Sequence, residues 1–399
     1  MAKFSWRVGG IILAVFASLF FINPSLAQDT EAIDTGTQTF KGYARGDVIS
    51  VDTSDQQEVF GQKIVRQELK VKLLTGDEKD KEVTVNFTDF SGTGKNSYKT
   101  GEGIVLAMVQ NGPDLVYEAV DHYRLPAVWV IIFIFVLVVL IVARGRGFTS
   151  LVSLAVSIIV IIKFLVPQLL SGTDPVLATL MATAIIAVVS FFVGHGISKR
   201  SSLGLFSTLL SLGVGLGLAY GFVYSLRLFG VASEETMFVQ NFAQGAIDLR
   251  GLLLAGIVIG MLGVLDDVTA TQTAAADELK KSAPESSFKE LFAGTFRIGK
   301  EHVVGLVNTM FLVYAGTVLP LFLLFAVNSN QPAWVLLNSE FVTEEIARAL
   351  AGGTALILAV PISTAIAAWF YSRKPKATDQ EVVEKIIVVE AEVSENKSI

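Results

Sequence analysis

GIVIGMLGVLDDVTATQTAAADELKK, residues 256–281, is the stretch on which the fold of this chain turns. It opens as an apolar helix rich in glycine, meets Asp266 and Asp267, and continues in small polar residues to Lys280 and Lys281. No helix breaker marks the change. Two readings fit: one long membrane helix emerging into water, or a helix lining a wet crevice in a bundle. In the first the acids sit at a helix end at little cost. In the second they are functional, because ionisable groups inside a membrane bundle are expensive. Asp266, Thr269, Thr273 and Asp277 fall at i, i+3, i+7 and i+11, one face of an α-helix. Such a stripe of oxygens suits cation coordination or proton relay. Asp266 and Asp267 themselves point about 100° apart on a helix, a poor geometry for a catalytic pair.

Working outward, the chain is 52% hydrophobic and 17% charged, below the quarter typical of soluble domains. Apolar runs predict seven spans near 126–143, 149–170, 175–195, 203–226, 250–268, 303–327 and 346–371, each close to the ~20 residues a bilayer needs. Lys and Arg recur on one side: Arg144 and Arg146, Lys199 and Arg200, Lys280 to Lys300, and Arg373 to Lys376. The opposite loops, 171–174, 230–248 and 328–345, hold none. The positive-inside rule therefore predicts a cytoplasmic C-terminus and an inner-membrane protein. Gly213, Gly217 and Gly221 in the fourth span, and Gly256 and Gly260 in the fifth, recur every four residues. These faces predict close packing of the two helices, with each other or with a second subunit. Ser287 and Glu290 have capping-box spacing and predict a cytoplasmic amphipathic helix within 282–301. The tail, 373–399, is expected to be weakly ordered.

Towards the N-terminus, Lys3 and Arg7, an apolar run and Ser25-Leu26-Ala27 read as a signal peptide over 1–27. Residues 28–124 then alternate as strands do, in Leu69-Lys70-Val71-Lys72-Leu73 and Val83-Thr84-Val85. Five short strands predict a small extracytoplasmic β-barrel of OB type. This module holds 11 Lys and Arg against 17 Asp and Glu. An acidic exterior argues against nucleic acid as a partner.

The span from Gly256 to Pro320 carries Gly260-x-x-Gly263-x-x-Asp266, Asp277-Glu278-Leu279, Phe288-Lys289-Glu290-Leu291, Ile298-Gly299, Asn308-Thr309, Tyr314-x-Gly316 and Leu319-Pro320. On these residues the chain resembles the YibE/F family of bacterial multi-pass membrane proteins. The likeness extends more loosely to Pro167 and to Asp121-x-Tyr123-Arg124. It implies an integral membrane protein of the cell envelope. In the family the acid position is single and followed by small residues, from which the adjacent Asp267 departs.

The sixth span offers Asn308, Thr309 and Tyr314 opposite the stripe if the two helices run antiparallel, and Asp266 facing Asn308 is the expected pair. Lys163 is expected to snorkel to the interface. No nucleophile–base set, Gly-x-x-x-x-Gly-Lys loop or zinc motif is present, so no enzymatic activity, metal or cofactor is expected. An intramembrane hydrolase would need both Asp266 and Asp267. The expected class is an α-helical multi-pass membrane protein with a lipid bilayer as its solvent, acting as a transporter or permease. The alternative is a non-transporting scaffold whose β module recruits an envelope partner, and glycine faces leave a homo-oligomer open.

Overall fold

The computed structural model describes residues 38–59, 62–76, 78–89, 96–232, 234–242, 247–327 and 332–373. The expected signal peptide and the tail from 374 onward lie outside the described residues. The chain divides into two compact units, with the boundary between Val142 and Ala143.

In the first unit five strands, β1 (Gln38–Val59), β2 (Gln62–Leu73), β3 (Glu82–Asp89), β4 (Gly103–Asn111) and β5 (Asp114–His122), form one antiparallel sheet. Its order is β3-β2-β1-β4-β5. The alternation predicted for β2 holds: Leu69, Val71 and Leu73 are buried, and Lys70 and Lys72 are exposed. At 22 residues β1 is long enough to serve two partners. Gly46 pairs with Leu73 on one side and Ile104 on the other. A Cβ there would lie 2.4 Å from Val71 Cγ1 and 2.8 Å from the Lys72 carbonyl oxygen, so the crossing admits glycine alone. Register shifts between Val48 and Ser50 and between Thr53 and Asp55 bend the strand into a half-barrel. Tyr98 closes the core, stacked on His122 at 4.1 Å and edge-on to Phe87 at 4.9 Å. Gln67 holds the Tyr98 backbone at both its amide and its carbonyl. Burial pushes the Tyr98 phenol up to about 12.

The helices are α1 (Leu125–Val160), α2 (Val166–Leu170), α3 (Pro175–Val189), α4 (Lys199–Ser225), α5 (Glu234–Phe242), α6 (Leu249–Ser282), α7 (Phe288–Thr317), α8 (Leu319–Val327), α9 (Ala333–Leu337) and α10 (Glu340–Tyr371). Among the described residues, five helical segments are long and apolar enough to cross a membrane: Leu125–Leu170, Pro175–Gly194, Lys199–Ser225, Leu249–Ser282 and Glu340–Tyr371. The first merges two predicted spans. Within it Arg144 leaves helical geometry at φ 49°, ψ −127°, a kink that separates two helices at the expected connection between the two spans. Lys163 falls in a π-helical turn, Ile161–Leu165, and is exposed.

The predicted sixth span is divided. Pro320, the second residue of α8, has no N–H to continue the ladder, and α7 ends where the Val318 amide turns back to the Tyr314 and Gly316 carbonyls. At its other end α7 begins with the predicted capping box, Ser287 and Glu290 each bonding the other's backbone amide. The amphipathic segment expected within 282–301 is thus continuous with the apolar helix that follows it. Its Phe288, Phe292 and Phe296 rings follow one another at 5.9 and 5.5 Å.

Helix α6 is the hub, packing against α3, α4, α7 and α10. Its core face runs through Leu254, Ile257, Val258, Met261, Leu265 and Val268. Close approach to α4 occurs at Gly215, where a Cβ would lie 2.7 Å from Met261 Sδ and 2.8 Å from Ala355 Cβ. The row expected to pack, Gly213, Gly217 and Gly221, instead faces open space within this chain. The phase decides it: Gly215 lies two residues, about 200°, from Gly213 and Gly217, and only one of these faces meets α6.

Candidate functional site

The oxygen stripe on α6 divides among different surroundings. Thr269 and Thr273 are fully buried. The Thr269 hydroxyl donates to the Leu265 carbonyl at 2.9 Å and meets the Thr208 hydroxyl of α4 at 2.5 Å. Thr273 donates to the Thr269 carbonyl at 2.9 Å. The Thr208–Thr269 contact ties α4 to α6, whereas Thr273 bonds the preceding turn of its own helix. Gln272 adds a second stitch: its Oε1 accepts from Thr364 of α10 at 3.1 Å. Asp277 pairs with Lys281 at 2.7 Å near the helix end, and Asp267 is exposed.

Asp266 stands apart. One carboxylate oxygen accepts from the Ser190 hydroxyl, and the other, Oδ1, is buried without a partner among the described residues. Ser190 opens a π-helical turn, Ser190–Gly194, that ends α3. Such turns widen a helix and recur at functional sites. The expected pair of Asp266 with Asn308 does not form: Asp266 bonds Ser190, and Asn308 is exposed. The buried residue of α7 nearest Asn308 in sequence is Met310, two positions and so about 200° round the helix.

The second constellation is a cleft of about 530 Å³ between α6, α7 and α10. Gly260 of α6, Thr309, Tyr314 and Thr317 of α7, and Glu345 and Arg348 of α10 line it. Arg348 Nε lies 3.4 Å from Glu345 Oε1. Two of the glycines of α6 lie beside these side chains. A Cβ at Gly256 would stand 3.0 Å from Arg348 Nη1, and one at Gly260 would stand 3.9 Å from the Tyr314 hydroxyl. Gly256, expected to bring backbones together, instead leaves room for the Arg348 side chain, while a Cβ at Gly260 would make only an ordinary contact. A guanidinium, a carboxylate and a phenol facing one cleft in a membrane bundle can bind a charged or dipolar solute. Among the described residues no three His, Asp or Glu side chains converge as a metal site requires.

Two parts of this arrangement escaped the sequence reading. Ser190 is a lone hydroxyl in an apolar run, with nothing local to distinguish it from a serine bonded to its own helix. Glu344, Glu345 and Arg348 fell at the edge of a span drawn from 346, whereas α10 begins at Glu340. The available signal was the helix-compatible run from Glu340 to Arg348, which carries the apolar helix back through its acids.

Several helices fit to cross a bilayer, with ionisable side chains turned into their packing, define a multi-pass membrane protein. The model of the YibE/F-like protein family matches residues 131–373, and the chain belongs to that family. The match covers the helices and leaves the β sheet outside it. No curated protein and no solved structure matches the chain.

Proposed function

We propose that this protein is a permease of the bacterial inner membrane that moves an ion or small solute past α6, α7 and α10. The observation that carries the reading is the cleft of about 530 Å³ where Tyr314, Glu345 and Arg348 meet inside segments otherwise suited to lipid. Asp266, with one oxygen on Ser190 and one unpartnered among the described residues, is the second polar station of the pathway. Thr269 ties α6 to α4 beside it, Thr273 bonds its own preceding turn, and Thr309 lies at the cleft. In this reading the arms on either side of Arg144 are separate crossings and α7–α8 is one broken crossing, which makes seven. The C-terminus is cytoplasmic and the β module external, with a strand order that fits an OB-type barrel. The outward row Gly213, Gly217 and Gly221 is then a face for lipid or a second subunit.

The test uses full-length protein in proteoliposomes, with proton and alkali-cation movement followed by entrapped indicator dyes. Arg348→Gln and Asp266→Asn are each expected to lower flux at least about tenfold, the loss of about 1.4 kcal/mol of stabilisation. Wild-type flux in both variants, or wild-type protein no different from empty vesicles, defeats the reading.

One observation favours a second reading, a membrane scaffold. Phe40 and Tyr43 of β1 are exposed and meet edge-on at 5.0 Å. Through Val109 of β4, Phe40 continues to exposed Val116 of β5. An exposed apolar row on a sheet face suits a protein partner. Deleting residues 28–120 separates the readings: loss of the cellular phenotype with Asp266→Asn harmless favours the scaffold.

A further inference from the structure

A smaller cavity of about 120 Å³ lies by the first turns of α10, lined by Gly230, Ala232, Thr236, Glu344, Glu345 and Arg348 among others. Its walls are built. Glu340 Oε1 accepts from the Phe229 and Gly230 amides at 2.5 and 3.1 Å. Arg250 Nε donates to the Leu228 carbonyl at 2.8 Å, and its guanidinium lies over the Tyr224 and Phe229 rings. Gly230, at φ +80°, sits so close that a Cβ would stand 2.3 Å from the Leu249 carbonyl oxygen. The turn after α4 is therefore pinned to both α6 and α10.

Glu344 lies one helical turn after Glu340 and is 7% exposed. The Ala232 amide donates to its carboxylate, yet Oε1 is buried with no hydrogen-bond partner among the described residues. The charges acting on it are Glu340, Glu345 and Arg348. Glu340 is engaged by two backbone amides, and Glu345 is balanced by Arg348 at 3.4 Å. Three carboxylates thus face one guanidinium, and Glu344 has neither a charged partner nor the two amides that solvate Glu340. A buried carboxylate in that state is costly unless something positive joins it.

We infer that this cavity binds a single monovalent metal cation on the free oxygen of Glu344. One positive charge offsets that of Glu344, and a hard carboxylate oxygen suits an alkali ion. The volume holds an ion with a few retained waters. The cavity and the larger cleft share Glu345 and Arg348, so a cation on Glu344 changes the field that their ion pair presents to the cleft. As the coupling ion of transport, this cation rests on the permease reading; as a bound ion, it does not.

Full-length protein in detergent is the material, and its thermal midpoint is read while NaCl replaces choline chloride at constant ionic strength and pH. Wild type is expected to rise saturably, by a few degrees. Glu344→Gln, neutral and nearly isosteric, is expected to lose that rise. Should that variant fail to fold, Glu344→Asp carries the test, since its retracted carboxylate should raise the half-saturating Na⁺ concentration at least about tenfold. A flat wild-type response, a midpoint that follows pH alone, or a full Na⁺ rise in Glu344→Gln overturns the inference. Flux measured in parallel keeps the two readings apart: a Na⁺ rise without flux removes the permease and leaves the site, and flux without a Na⁺ rise does the reverse.

Discussion

At the scale of single residues, position on the helix outweighs residue type. Gly299 of α7 and Gly217 of α4 look alike in sequence. A Cβ on Gly299 would lie 2.4 Å from Val360 Cγ1 and 2.9 Å from Gln272 Oε1, whereas one on Gly217 meets nothing within 4 Å. Gly299→Ala is expected to destabilise by about 1–3 kcal/mol through overpacking, and Gly217→Ala to change stability little; thermal unfolding of the full chain in detergent measures both. Ser190→Ala leaves the Asp266 carboxylate without its donor. It should destabilise by about 1–3 kcal/mol and lower flux in the same direction as Asp266→Asn. Equal stability and flux in Ser190→Ala would mean that the contact is incidental.

Elements carry the next set of consequences. The start of α7 was legible because a capping box is a local device: Ser287 and Glu290 need only each other and their own backbone. Ser287→Ala should cost about 1 kcal/mol and speed hydrogen exchange of the first-turn amides of α7. Unchanged exchange there would show that packing of Leu291, buried at 2% exposure, holds the turn instead. Span ends were less legible. Composition drew the last span from 346 and so assigned Glu344 and Glu345 to a loop. Acids continue a helix readily when its other faces bury Val342 and Ala347, and that requires neighbours which composition does not contain. The division of the sixth span at Val318 had a local cue in Pro320, overridden in the reading by the length of the apolar run.

For the whole molecule, the β unit offers a measurement of its own. The Tyr98 phenol is neutral when protonated, and burial raises it from 10.0 to about 12. The folded state therefore holds this proton more tightly than the unfolded chain does. The stabilisation is fully present below pH 10 and lost as pH rises through 12. Between those values the β unit should unfold progressively more easily, and Tyr98→Phe should flatten that dependence. Identical alkaline profiles would show that the loss arises elsewhere.

The chain's own order of residues determined what rests on local or additive physics: apolar runs of bilayer length, alternation in β2, the cap on α7 and the polar turn of α6 after Asp266. Which faces meet was decided only by the tertiary structure. Gly215 rather than Gly213 touches α6, Asp266 bonds Ser190 rather than Asn308, and Arg348 reaches the space beside Gly256. A helix advances about 100° per residue, so a rotation too small to alter any periodicity selects a different partner across every interface.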